Sequence, residues 1–200
     1  MRWPKSVLGR DIDDSVRLRL EHIEAVAREG ELDVQAQHAL RCVALLRHRH
    51  PLEEAIARYT EAMELSPERA ELVRTRALAQ LDLPEVAAWL DREPPSSPWA
   101  LATRPRVAWR WWRRRWHADA EEAVWLQLVV AQAEEAIVDL YARHAEEYDQ
   151  ALPNWPPTET VALFVQRVGL SLARARSVAL RALARLAEAH LPEAPPARTR

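Results

Sequence analysis

Residues 107–152 form a run of 46 with neither proline nor glycine. Both residues punctuate chains, so a run free of them can continue one regular element without interruption. Its non-charged, mostly apolar positions fall at 109, 112, 116, 120, 123, 126, 130, 133, 137, 140, 144 and 148. Steps of three and four are the period of an amphipathic helix. As one helix the run would span roughly 69 Å at 1.5 Å per residue. That is long for a small domain, so a break or bend is expected near His117–Asp119.

The remaining segments read as helices too. Three glycines in 200 residues leave few sites for tight hairpins, and a 48% hydrophobic share supports a core. Asp11 or Asp13 can cap a first helix that carries Val16, Leu18, Leu20, Ile23 and Val26, with Gly30 as its terminator. A second helix is expected from Leu32 to His48, a third from Pro51 to Leu65, a fourth from Ser66-Pro67 to Leu81 and a short fifth from Pro84 to Leu90. Residues 92–105, rich in proline and serine, read as a linker. After the long stretch, Pro153, Pro156 and Pro157 impose a stop. Thr158 or Thr160 starts a helix that Gly169 ends, and Ser171 caps the last one, to about His190. The tail 191–200 holds three prolines and is expected to be disordered. The fold class is therefore all-α: a helical bundle of about seven to nine helices with one long central helix, open to division into two subdomains.

Net charge is −2, which excludes a globally basic nucleic-acid binder. The charge is unevenly placed. Residues 104–116 hold six arginines and no acid, 117–152 nine acids against one arginine, and 160–190 five arginines against one glutamate. Either the acidic helix neutralises the arginines inside the fold, or an arginine surface stays free for phosphates. Within the first block, Arg106, Arg110, Arg113, Arg114 and Arg115 interleave with Trp109, Trp111, Trp112 and Trp116. Guanidinium plus indole is the chemistry of single-stranded nucleic-acid platforms, where rings stack on bases and cations follow phosphates. On a helix, Trp109, Trp112 and Trp116 share one face and can instead anchor a protein partner, while Trp111 falls off that stripe.

Ala55, Tyr59, Ala62 and Pro67 are spaced at offsets of 0, 4, 7 and 12. With the helix before them, residues 36–69 resemble one unit of a tetratricopeptide repeat. Small alanines there allow close helix approach, the tyrosine fills the gap between turns, and the proline ends the unit. The resemblance implies a protein or peptide partner; an ordinary αα-hairpin is the competing reading.

Residues 160–186 resemble the helix-turn-helix of bacterial sigma factors. Thr160 stands at the first cap, Arg167, Gly169, Leu170 and Ser171 in the turn, and Arg174 and Arg176 in the second helix. Arg181 opens a segment like the motif's close. The resemblance implies contact with DNA through Arg174, Arg176 and Arg181. Against it stand Leu172, Ala173 and Ala175, apolar where the family's second helix starts polar.

Catalytic chemistry finds no foothold. None of the seven histidines lies in a metal-binding spacing, and no phosphate loop, dinucleotide glycine pattern or nucleophile elbow is present. His48-Arg-His50 reads as a basic helix end, and His144 as a structural histidine near Asp139 and Glu147. Cys42 is alone, so no internal disulfide forms. No catalytic residue, metal or cofactor is expected. The N-terminus lacks the apolar run of a signal peptide and no window is long and apolar enough to span a bilayer, so a cytoplasmic location without membrane contact is expected.

Two functions follow. In the first, the chain is a non-enzymatic nucleic-acid binder, for single strands or duplex without sequence reading. It would use Arg106, Arg110, Trp111, Arg113, Arg114, Arg115, Arg174, Arg176 and Arg181. In the second, it is a protein-interaction scaffold or homodimer with Trp109, Trp112 and Trp116 at the interface. The matching domain plan is a tetratricopeptide-like subdomain 1–91, the linker 92–105, a C-terminal subdomain 106–190 and the tail 191–200.

Overall fold

The computed structural model describes residues 13–81, 83, 86 and 118–189. Among them there are six α-helices and no strand: α1 Asp14–Leu46, α2 Leu52–Ala62, α3 Pro67–Leu81, α4 Ala118–Gln150, α5 Pro157–Val168 and α6 Leu172–Ala189. The all-α expectation holds. The count of seven to nine is too high among the described residues, chiefly because two expected helices are one. The fifth expected helix, the linker 92–105 and the tail 191–200 fall largely or wholly outside the described residues.

Gly30 does not terminate α1. A terminating glycine takes the left-handed conformation, and of the described glycines only Gly169 does so, at φ 76°. A glycine inside a helix costs about 1 kcal/mol relative to alanine. Burial on both sides outweighs that, since Ala27, Leu32 and Ala36 are all in the core. Beside Gly30, Arg69 Nη2 of α3 pairs with Glu31 at 3.7 Å and Arg69 Nε donates to buried Gln35 at 2.8 Å.

The other boundaries follow local chemistry. Pro51 takes the N-cap of α2, and α2 stops at Ala62 rather than Leu65 because Glu64 adopts φ 54°. Ser66 caps α3 by accepting from Arg69 N at 3.3 Å. At the start of α5, Pro156 is the N-cap and Pro157 the first residue, ahead of the expected Thr158 or Thr160. Proline loses nothing there, because the first helical N–H groups have no partner within the helix. Thr160 instead donates its hydroxyl to Asp149 of α4 and to Pro157 O. Ser171 caps α6 as expected, accepting from Arg174 N at 3.4 Å.

The chain divides into two compact units, with boundaries inside α1 between Glu29 and Gly30 and inside α4 between Ile137 and Val138. The unit holding residues 30–137 has a core from the second half of α1, α2, α3 and the first half of α4. Leu40, Leu46, Ile56, Tyr59, Val73 and Val129 fill it. In the other unit, Phe164 of α5 is fully buried. Its ring centroid lies 6.2 Å from Tyr141 and 5.3 Å from Tyr148, in tilted pairs typical of buried aromatics. Val178, Ala182 and Leu186 give α6 its buried stripe. Of the tetratricopeptide-like set, Ala55 and Tyr59 are buried in the first-named core, Ala62 is exposed, and Pro67 begins α3.

Candidate functional site

The arginine–tryptophan block lies outside the described residues: Arg106, Trp109, Arg110, Trp111, Trp112, Arg113, Arg114, Arg115 and Trp116. The structure therefore locates three of the residues singled out for nucleic acid, all on α6. Arg181 Nη1 is 2.9 Å from Asp139 Oδ1 of α4. Arg174 is half-buried and already engaged. Arg176 stands exposed. Its neighbour Arg185 also binds α4, with Nη2 2.9 Å from Asp139 and Nη1 3.3 Å from Glu146. The basic C-terminal segment and the acidic long helix thus neutralise each other in part.

What remains on the outside of α6 is mostly apolar or small. Leu172 is 76% exposed and Leu180 67%. Ala173, Arg176, Ser177, Ala184, Ala187 and Glu188 complete the exposed side. At 100° per residue, positions 173, 180, 184 and 187 project within about 40° of one line, so the face is a continuous stripe. The tight turn before it fixes its position. Gly169 takes a left-handed conformation that closes α5, its N–H donating to Gln166 O at 3.1 Å. Nothing lies within 4 Å of where a side chain would begin at Gly169, so conformation and not space requires glycine.

Two ionic clusters are built around a buried carboxylate each, and sequence reasoning missed both. In the unit with α5 and α6, Glu24 of α1 is 4% exposed. Arg167 Nε donates to its Oε1 at 2.9 Å, and the Tyr148 hydroxyl donates to the same atom at 3.3 Å. Arg28 closes the loop by donating to Arg167 O at 2.7 Å. The hydrogen bond to Glu24 holds the Arg167 guanidinium above its usual range, and burial holds the Tyr148 phenol above its own.

The other cluster centres on Glu122 of α4, 8% exposed. His50 Nε2 lies 2.8 Å from its Oε2, and Arg58 Nη1 of α2 donates to its Oε1 at 2.6 Å. His50 Nδ1 lies 2.9 Å from Glu54, which also accepts from Arg58. The Arg58 hydrogen bond holds the Glu54 carboxyl below its usual range. Arg49 donates to Glu121 at 2.7 Å alongside. The sequence suggested a helix-end role for the His48-Arg49-His50 tip; His50 instead faces carboxylates at both ring nitrogens. The one available signal was the excess of acid in α4, with a single arginine, Arg143, on the same helix to meet it.

Every carboxylate described in the two clusters is met by a cation or a hydroxyl. Among the described residues no group of three or more acidic, histidine or cysteine side chains could hold a metal ion. His144 pairs with Glu147 at 3.1 Å. His38 donates from Nδ1 to Val34 O at 2.8 Å and meets Arg41 at Nε2, and burial holds its basicity down. Cys42 is 1% exposed, with its Sγ 3.5 Å from Ala55 O. Burial first and Glu122 second push its thiol up to about 12, so it is not a nucleophile at neutral pH. An open groove of about 310 Å³ lies between Asp13, Val16, Leu152, Pro153 and Trp155, but the Asp13 carboxylate is already bonded to Ser15. No described helix is long and apolar enough to cross a membrane.

No protein-family model matches the chain, no curated protein matches it, and no solved structure matches it.

Proposed function

We propose that the chain is a non-enzymatic helical interaction module whose α6 outer face seats a helix of a partner protein. The exposure of Leu172 and Leu180 two turns apart on one side of α6 carries this reading. Apolar side chains on a solvent-facing stripe are the ordinary signature of helix-on-helix recognition, whereas base reading needs polar side chains in their place. The ion pairs of Arg181 and Arg185 with α4 support it by withdrawing two guanidiniums from that surface. The tetratricopeptide-like run 36–69 supports it independently, since such units serve protein partners. A photo-crosslinking amino acid placed at position 180, in the cells that make the protein, should form an adduct with a protein. Adducts absent at 180, with the variant folded and abundant, overturn the reading.

A second reading rests on the arginine–tryptophan sequence of 104–116: binding of nucleic acid by stacking and phosphate contact. It is tested by gel shift with single-stranded and duplex oligonucleotides at two salt concentrations. Binding should weaken steeply with salt. The Arg113→Glu/Arg114→Glu variant should reduce the salt slope by about 2, one for each phosphate no longer neutralised. Unchanged binding by that variant removes the block as the site.

A further inference from the structure

We infer that the helix seated on α6 carries a carboxylate within its apolar stripe, and that Arg176 selects it. The inference rests on the interaction reading above and adds the partner's charge. Leu172, Arg176 and Leu180 follow one another at intervals of four, so they stand on one side of α6. All three are exposed. Arg176 is thus bracketed by the two leucines and does not sit at the edge of the stripe. The other arginines of α6 lie elsewhere. At 100° per residue, Arg174, Arg181 and Arg185 project roughly 140–180° around the helix from it. On that side Arg181 and Arg185 meet Asp139 and Glu146 of α4, and Arg174 is engaged as well. Among the described residues no carboxylate meets Arg176. The single acid of α6, Glu188, lies further on, roughly 18 Å along the axis.

A helix that covers Leu172 and Leu180 must also cover Arg176. The arginine stem then fills the space between the leucines, and its guanidinium loses water on the covered side. Taking a cation out of water without a partner is unfavourable, so an all-apolar helix is a poor occupant and a basic one a worse one. A carboxylate opposite restores the lost hydrogen bonds, in the two-pronged geometry that guanidinium and carboxylate share. The leucines supply the apolar burial, and Arg176 decides among the helices that offer it. The fitting partner is an acidic amphipathic helix with Asp or Glu one turn from the residue that meets Leu180.

The test uses the full chain with the photo-crosslinking amino acid at position 180, in the cells that make the protein. Mass spectrometry of the adduct should place the linked residue of the partner within one helical turn of an Asp or Glu. Arg176→Glu in the same chain should lower the adduct yield about tenfold, whereas Arg176→Lys should retain most of it. Exchanging the partner's acid for lysine should restore the adduct to the Arg176→Glu chain. Followed by circular dichroism, Arg176→Glu should melt as the wild type does, because the side chain is exposed and its loss breaks no ion pair. An adduct of equal yield from Arg176→Glu, or a linked segment without an acid, overturns the inference and leaves the interaction reading standing. No adduct at position 180 from a folded, abundant chain overturns both.

Discussion

Replacing Arg167 by methionine is expected to lower the stability of the fold by about 2 kcal/mol, less than the cost of breaking a fully buried pair, because the Arg167 side chain is 47% exposed while that of Glu24 is 5%. The reason is the carboxylate left behind. Glu24 is 4% exposed, and its nearest partner is Arg167 Nε at 2.9 Å. After the substitution Glu24 keeps one hydrogen bond, from the Tyr148 hydroxyl, and a distant ion pair with Arg28 at 3.9 Å. Methionine preserves the apolar stem over the core, so the substitution isolates the charge. Urea unfolding followed by circular dichroism measures it as a shift in midpoint at constant slope. The double variant Glu24→Met/Arg167→Met should recover most of the loss, because two apolar groups of similar size leave no charge stranded. A single-variant loss under about 1 kcal/mol would mean that the pair behaves as an exposed one.

That pair also shows where a sequence stops speaking. Arg167 stands two residues before Gly169, and local pattern alone placed it in a turn. Its partner is 143 residues away, and no periodicity carries information over that distance. Features with local causes were legible. Gly169 as a left-handed stop and Ser66 and Ser171 as caps all follow from backbone chemistry within a few residues, whereas the start of α5 at Pro157 was placed too late, at Thr158 or Thr160. Gly30 was misread because its local signal is real but small, about 1 kcal/mol, and the packing of Ala27, Leu32 and Ala36 overrides it. Charge pattern supplied half an answer. The opposite bias of α4 and α6 announced pairing, and Arg181 and Arg185 do meet Asp139. It could not say which arginine stays outside, since that depends on which way α6 turns. The stripe of Leu172 and Leu180 was hidden for the same reason: α6 has apolar residues on several sides, and only packing decides which are covered.

Glu122→Ala is expected to cost about 2 kcal/mol, by removing the buried carboxylate that His50 and the half-exposed Arg58 share. His50 and Glu122 side chains are 13% and 10% exposed, so water replaces the missing carboxylate poorly. Arg58, at 39%, is better solvated and keeps Glu54, which places the figure below that of a fully buried pair. Removing Glu122 leaves His50 Nε2 without its partner at 2.8 Å. Glu122→Gln keeps an acceptor oxygen and should cost about half as much. A second readout separates loss of charge from loss of packing. Cys42 has its thiol raised from 9.0 to about 12, by burial and then by Glu122. A raised thiol stabilises the fold fully below pH 9.0. The unfolded chain then ionises first, so that contribution falls as pH rises from 9.0 toward about 12, by about 1.4 kcal/mol per unit. The stability difference between wild type and Cys42→Ala, followed by urea midpoints at pH 8 and pH 10, should shrink accordingly. In the Glu122→Gln background one source of the raised thiol is gone, so thiolate absorbance should appear at lower pH than in wild type. Thiolate formation at the same pH in both proteins would mean that Glu122 acts on its neighbours through packing and not through charge.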